Sequence, residues 1–402
     1  MEKKLGKVFL GILILTLAFC LSSPMSIWAQ KEVILGNIAD LTGSTSSVGV
    51  PTGNARQNYF EYINEKGGIL GYKINSVLLD GGESITTETA QFNRLVTKEN
   101  AVAIIGWSTG GTRALLPIAT RTGITFMGHT CSMDVVQPKE YPYTFIFSPT
   151  YEDQFKIVMD YAKKQGAKDI VIVREDLDAW KLTVANVMNE KYAEKIGLNI
   201  KGVIVVTPNA PDVTPQMLRA QALKPDFILV PSVPNTLIAT LRDGMKVGIE
   251  AKKILGASLW TTHPVIAQKL GKDIEGYVAI STIPLFGIDN GIMREINEYA
   301  KKHPDNVKKF EGQTFYIHGW MQAKIYAKGV EAVIKKNDGK VPSDLATFRK
   351  QFRDEYENLQ GRLMAEDLPP VDNRDHKGWH SAILATPKEG KFVPIGEWMT
   401  VK

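Results

Sequence analysis

Apolar and polar residues follow two alternating periods along almost the whole chain. Residues 32–40 (EVILGNIAD) form a β-type run that ends in Asp40, and the loop LTGSTSSVG follows. Residues 53–68 then place Ala55, Tyr59 and Tyr62, with Phe60 and Ile63, at helical spacing until Gly67-Gly68 stops the helix. KINSVLLD (73–80) is the next strand, and 86–100 the next helix, with Phe92, Leu95 and Val96 turned inward. AVAIIG (101–106) is a short unbroken apolar run, as expected for a strand covered on both faces. A helix interrupted by Pro117 and the strand ITFMG (124–128) complete the first series.

The same alternation repeats. The pattern predicts helices over 151–166, 180–197, 215–222 and 236–248, and strands over 169–176, 202–206, 226–232, 253–258 and 276–281. Two series of βα units imply two parallel sheets covered by helices, and parallel crossovers are right-handed. The fold class expected is α/β, with two doubly wound parallel-sheet lobes joined by a hinge. Beyond Ser281 the periodicity lengthens into three amphipathic helices, over 292–304, 315–336 and 342–361. The tail reads as a hairpin about Glu389-Gly390.

Composition changes this picture only at the N-terminus. The chain of 402 residues is 44% hydrophobic and 23% charged, which excludes disorder, collagen and coiled coil. A net charge of +5 with no long basic run gives no sign of a nucleic-acid partner. MEKKLGK followed by VFLGILILTLAFCLSS and SIWAQ reads as a secretory signal peptide cleaved after Ala29. Bulky Phe19 before Cys20 argues against lipidation, so a periplasmic, non-lipidated product is expected. It would keep one cysteine, Cys131, and so no internal disulfide.

Ligands of open parallel sheets bind outside the carboxyl ends of the strands. Three such loops in the first half carry small hydroxyls and free N–H groups: LTGSTSSVG; Trp107, Ser108, Thr109, Gly110 and Gly111; and His129, Thr130, Cys131 and Ser132. Together they suit a carboxylate or phosphate, although the same residues serve as turn formers and helix caps. The second half offers a mostly apolar wall of Tyr151, Trp180, Ser232, Val233, Leu259 and Trp260. Hydroxyls facing aromatics fit a small amphipathic acid. An enzyme reading exists, because Gly106-Trp107-Ser108-Thr109-Gly110 matches G-x-S-x-G between a strand and a helix. No oxyanion motif precedes Ser108, so a secreted serine hydrolase is the lesser alternative. GxxxxGK[ST], GxGxxG and HExxH do not occur, and no catalytic residue, cofactor or metal is expected.

The segments GNIADLTGSTSSVGVPTGNARQNYFEYINEKGG, VAIIGWSTGGTRALLPIATRTGITFMGHTCS, YPYTFIFSPTYEDQ and PDFILVPSVPNTLIATLRDGMKVGI, in this order, resemble type I periplasmic binding proteins of the leucine/isoleucine/valine group. The resemblance covers the chain beyond the signal peptide. It implies capture of a small-molecule carboxylate between the lobes by hinge closure, and delivery to the permease and ATPase subunits of an ABC importer. It places the carboxylate on Ser108-Thr109-Gly110 and Cys131-Ser132, with Thr109 and Ser132 as hydroxyl donors, and an aromatic at Trp180. It sets Leu259 where amino-acid binders hold the α-ammonium with a carboxylate. Leu259 and Trp260 cannot do that, and an unpaired buried ammonium would cost several kcal/mol. An apolar or aromatic carboxylate is therefore expected, with a branched-chain amino acid as the alternative and a ligand-sensing module for a membrane receptor as a further one. A monomer is expected. The domain layout expected is a signal peptide (1–29), a first lobe (30–147 plus 282–364) and a second lobe (148–281 plus 365–402), with passages near Phe147, Ser281 and Met364.

Overall fold

The computed structural model describes residues 32–400. The expected signal peptide, its expected cleavage site after Ala29 and Cys20 lie outside the described residues. Among the described residues no helix is long and apolar enough to cross a membrane.

The first series gives β1 (Glu32–Ala39), α1 (Ser46–Glu65), β2 (Lys73–Asp80), α2 (Ile85–Thr97), β3 (Ala103–Ile105), α3 (Thr109–Thr122), β4 (Thr125–Met127) and β5 (Thr144–Phe145). They form a five-stranded sheet in the order β2-β1-β3-β4-β5. The β1–β3, β3–β4 and β4–β5 pairs are parallel, with Leu35 opposite Ala103 and Ile104 opposite Phe126. Every residue of β3 and β4 is buried, which is why these strands read as unbroken apolar runs. α1 begins at Ser46, seven residues before the sequence expectation. Gly49, Pro51 and Gly53 disguised its start. Pro51 removes one backbone donor, but Thr52 Oγ1 and Asn54 Nδ2 donate to the Val48 and Val50 carbonyls at 2.8 Å. A Cβ at Gly49 would lie 1.9 Å from the Asp40 carbonyl, so only glycine lets this helix approach the end of β1.

The second series gives α4 (Tyr151–Lys164), β6 (Asp169–Glu175), α5 (Asp178–Asn189), α6 (Tyr192–Lys195), β7 (Asn199–Val206), α7 (Thr214–Ala222), β8 (Phe227–Val230), α8 (Pro234–Lys246), β9 (Ile254–Gly256), α9 (Pro264–Leu270) and β10 (Val278–Ser281). The single helix expected over 180–197 is two, because Lys191 takes a left-handed conformation with φ of 54°. The chain then returns to the first lobe as α10 (Gly291–Lys302), α11 (Pro304–Lys308), α12 (Thr314–Lys336) and α13 (Leu345–Glu357). The tail forms β11 (Gln360–Gly361), β12 (Val371–Asp372), β13 (Gly378–Trp379), β14 (Ser381–Lys388) and β15 (Lys391–Thr400).

The second sheet runs β15-β14-β10-β9-β8-β6-β7. Its inner pairs are parallel, but the hairpin β14–β15 adds two antiparallel edge strands. Glu389 and Gly390, at φ of 52° and 76°, make the two-residue turn between Lys388 and Lys391. Alternate residues enter different cores. Val171, Val173, Ile228 and Val230 pack on one face, and Ile170, Ile172 and Leu229 on the other.

α12 is buried on nearly every side and lies against α1, where a Cβ at Gly319 would sit 2.3 Å from the Thr52 carbonyl. This close crossing brings a helix from the far end of the sequence beneath the first sheet. The lobes exchange chain at three adjacent places. Ser148 Oγ meets Thr282 Oγ1 at 3.1 Å, and Ile146 N–H donates to the His376 carbonyl at 2.8 Å. His376 stacks on Phe145 at 3.9 Å and bonds the Thr144 carbonyl through Nδ1. Met364, Leu368, Val371 and Trp379 share a core cluster with residues of both series, Tyr151, Trp180 and Leu259 among them, and the chain joins the second sheet at Ser381.

Candidate functional site

The three loops at the carboxyl end of the first sheet come together, and their polar groups largely satisfy one another. Asp40 closes the first loop by accepting from the N–H groups of Gly43 and Thr45. Ser108 caps α3, accepting from Gly111 N–H at 2.9 Å and donating to Glu88 Oε1 at 2.5 Å. Burial pushes the Glu88 carboxyl up to about 7, against the pull of that hydroxyl. Trp107 donates through Nε1 to Glu83 and Thr45, and its indole stacks on His129 at 4.4 Å. A Cβ at Gly110 would meet Ile85 at 3.2 Å. Thr109 and Thr130 share a hydroxyl–hydroxyl bond of 2.8 Å. The Ser132 hydroxyl donates to Asp134, which also pairs with Arg113. Burial pushes the Cys131 thiol up to about 12, so it is no nucleophile, and its carbonyl accepts from Tyr151 N–H at 2.8 Å.

The opposite wall comes from the second lobe. Tyr151 opens α4 behind a capping box of Thr150 and Asp153. Its ring meets Trp180 edge-on at 4.7 Å, and its hydroxyl accepts from Trp260 Nε1 at 3.3 Å. Leu259 is fixed by its N–H to Gln154 Oε1. Trp260 leans across the cleft onto Phe315 of α12 at 5.1 Å. Deeper in the lobe, the Glu175 carboxylate takes hydrogen bonds from Trp180 Nε1, Thr236 Oγ1 and Val233 N–H. Burial raises its pKa. The Ser232 hydroxyl is buried with no partner, while its carbonyl accepts from Ser258.

Between the walls lies a small cavity of about 10 Å³, room for about one water molecule. Of the residues that sequence singled out, His129, Thr130, Cys131, Tyr151, Leu259 and Trp260 line it. Trp107, Ser108, Thr109, Gly110 and Ser132 sit at the end of the first sheet beside it, Trp180 and Val233 bond Glu175, and Ser232 bonds Ser258 through its carbonyl. Sequence reasoning missed His318 and Gln322, which α12 contributes to the lining. Two polar residues four apart on an otherwise apolar helix were the available signal.

Beneath these residues lies Arg56, fully buried, with no carboxylate among its partners. It donates to Asn37 Oδ1, the Ile38 carbonyl and, through Nε and Nη2, Gln322 Oε1. Burial lowers its pKa to about 9, so it stays charged at neutral pH. It thereby orients Gln322, whose Nε2 donates to His129 Nδ1 at 3.2 Å. His129 is thus committed to Gln322 and Arg56, and Ser108 to Glu88; no serine–histidine pair forms. One group of metal-type donors, Glu61, Glu65 and His303, clusters on the surface. Glu65 already pairs with Lys302 and His303, and Glu61 with Tyr299.

A family model described as periplasmic binding protein matches residues 32–391. A relative from Brucella abortus (strain 2308), named Leu/Ile/Val-binding protein homolog 8, is 21% identical over 363 residues, covering 86% of each chain. A solved branched-chain amino acid ABC transporter protein from Thermus thermophilus, with bound valine, aligns at a TM-score of 0.81 and 20% identity. It covers 92% of this chain and 97% of its own. A fatty acid ABC transporter substrate-binding protein from Thermomonospora curvata aligns at 0.75 and 18% identity, covering 92% of both chains. At such identities these likenesses establish the two-lobed fold.

Proposed function

The chain belongs to the periplasmic binding protein family, and from that premise we propose that it captures a small apolar or aromatic carboxylate for an ABC importer. Membership makes it a solute-binding protein and not an enzyme. One observation carries the choice of ligand: no aspartate or glutamate lines the cavity, whose second-lobe face is Tyr151, Leu259 and Trp260. Glu175, bonded to Trp180 in the second lobe, has both oxygens engaged. An α-ammonium entering here would lose its hydration with no anion to replace it.

In this reading Thr109 and the free N–H groups at the start of α3 hold the carboxylate, with favourable help from the helix dipole. Ser132 joins them once its hydroxyl turns from Asp134. Tyr151, Trp180 and Trp260 enclose the apolar body. The lobes are proposed to close about the passages at Phe147–Ser148, Ser281–Thr282 and the Asn373–Trp379 segment. The closed form then presents a surface to the permease and ATPase subunits. Export through a signal peptide cleaved after Ala29 belongs to the same proposal.

A second reading has an observation of its own. Glu152 follows Tyr151, its Oε1 accepts from Asn186, and its Oε2 is buried without a partner. Were that oxygen to reach the ligand, a branched-chain amino acid would fit, as the names of the relatives suggest. A thermal-shift screen of residues 30–402 separates the two. Leucine, isoleucine and valine are tested beside benzoate, phenylacetate and short aliphatic acids. A ligand at 100 times its Kd adds about 2.7 kcal/mol to the folded state. Shifts with the acids alone support the proposal, and a shift with leucine at equal concentration replaces it with the Glu152 reading.

A further inference from the structure

The hydrogen bonds around His129 and His318 fix the proton on each ring. His129 Nδ1 faces two groups that can only donate, Arg56 Nη2 at 3.4 Å and Gln322 Nε2 at 3.2 Å. The Gln322 amide cannot be turned round, because its Oε1 accepts twice from Arg56. His129 Nδ1 is therefore the bare nitrogen and Nε2 carries the hydrogen. His318 has the opposite exposure. Its Nε2 lies 3.2 Å from the Phe147 carbonyl, an acceptor only, so that nitrogen carries the hydrogen and Nδ1 is bare. That Nδ1 is buried and has no partner, in a residue only 5% exposed. Burial holds both rings neutral, lowering His318 to about 4 and His129 further below its ordinary value.

Both histidines line the cavity, with ring centroids 5.0 Å apart. Between them the two lining rings carry one N–H donor, His129 Nε2, and one bare nitrogen acceptor, His318 Nδ1. A carboxylate would satisfy His129 and set its lone pairs against His318. An ammonium would satisfy His318 and face the His129 hydrogen. A hydroxyl can satisfy both, accepting from His129 Nε2 and donating to His318 Nδ1. We infer that the cleft selects a hydroxylated acid, whose hydroxyl is read by His129 as donor and His318 as acceptor. This rests on the carboxylate reading above and narrows it. Leaving a buried ring nitrogen unpaired is the penalty that rejects the analogue without the hydroxyl.

The test is calorimetric titration with matched pairs: 4-hydroxybenzoate against benzoate, 4-hydroxyphenylacetate against phenylacetate, and 6-hydroxyhexanoate against hexanoate. The hydroxylated partner of at least one pair should bind tenfold tighter or more. In the His318→Phe variant that preference, read as the ratio of the two Kd values, should fall to threefold or less. Long-range ¹H–¹⁵N spectra of the wild-type rings give a readout that needs no variant. The His318 Nδ1 resonance should move on addition of the hydroxylated acid and stay in place with its parent. Equal affinity within every pair, as when a retained water serves the histidines, overturns the inference and leaves the carboxylate reading standing. Equal weakening of both partners in the variant overturns it too, marking His318 as merely structural. Absence of binding by all six acids overturns both readings.

Discussion

The two walls of the cleft solve different problems with different chemistry. The first-lobe wall is a polar lattice in which Arg56, Gln322 and His129, from three separate segments, fix one another through hydrogen bonds, with the His318 ring packed against His129. The second-lobe wall is apolar and aromatic, with Tyr151, Leu259 and Trp260 held by backbone and indole hydrogen bonds. The polar wall is expensive to bury and rigid once satisfied, so it is suited to orienting a ligand. The apolar wall is nondirectional and discriminates by volume and shape. The buried charge of Arg56 belongs to this division of labour: it spends its donors on setting Gln322 and, through it, the tautomer of His129.

Removing Arg56 should break the polar wall most severely. Arg56→Met leaves Gln322 Oε1 and Asn37 Oδ1 without their donor in a buried site, and each orphan costs about 1–3 kcal/mol. Urea denaturation should show a loss of roughly 3 kcal/mol or more. A loss under 1 kcal/mol would mean that the lattice is not a structural unit.

Acid should loosen the same wall by a different route. Burial holds His318 and His263 near 4, below the 6.5 of the unfolded chain. Between those values the unfolded chain binds protons that the folded chain refuses. Stability is therefore intact above 6.5 and falls as pH drops towards 4, by up to roughly 3 kcal/mol per histidine. Glu88 opposes this, since its carboxyl at about 7 favours the fold at the acid end of the window. The difference between wild type and His318→Phe isolates the histidine: the variant should lose less stability between pH 6.5 and 4, by equilibrium unfolding at each pH. Identical pH profiles would show that His318 is already protonated in the fold.

The apolar wall should respond mainly in binding. Trp260 is only partly buried and reaches Phe315 across the cleft. Trp260→Ala should weaken an apolar acid by about 2 kcal/mol, some thirtyfold in Kd by calorimetry, with a smaller change in the ligand-free melting temperature. A large fall in that melting temperature with unchanged affinity would reverse the roles assigned to the two walls.

Local patterning carried the architecture. The unbroken runs of β3 and β4, the period of α2 and the turn at Glu389-Gly390 were legible because each is set by neighbours within a few residues. The carboxyl-end rule also led to Cys131, Tyr151 and Trp260, because parallel strands deliver their following loops to one edge. Other features depended on the packing of distant segments. Gln322 meets His129 across 193 residues only because Gly319 lets α12 cross α1 closely. Ser132 faces Asp134, and Trp180 and Val233 turn to Glu175, through choices of rotamer and loop path that no spacing encodes. Sequence alone set which segments become strands and helices, since periodicity is a local property of side chains. Which polar groups face one another in the cleft was decided by tertiary structure, since a hydrogen bond depends on where two distant backbones are placed to within an ångström.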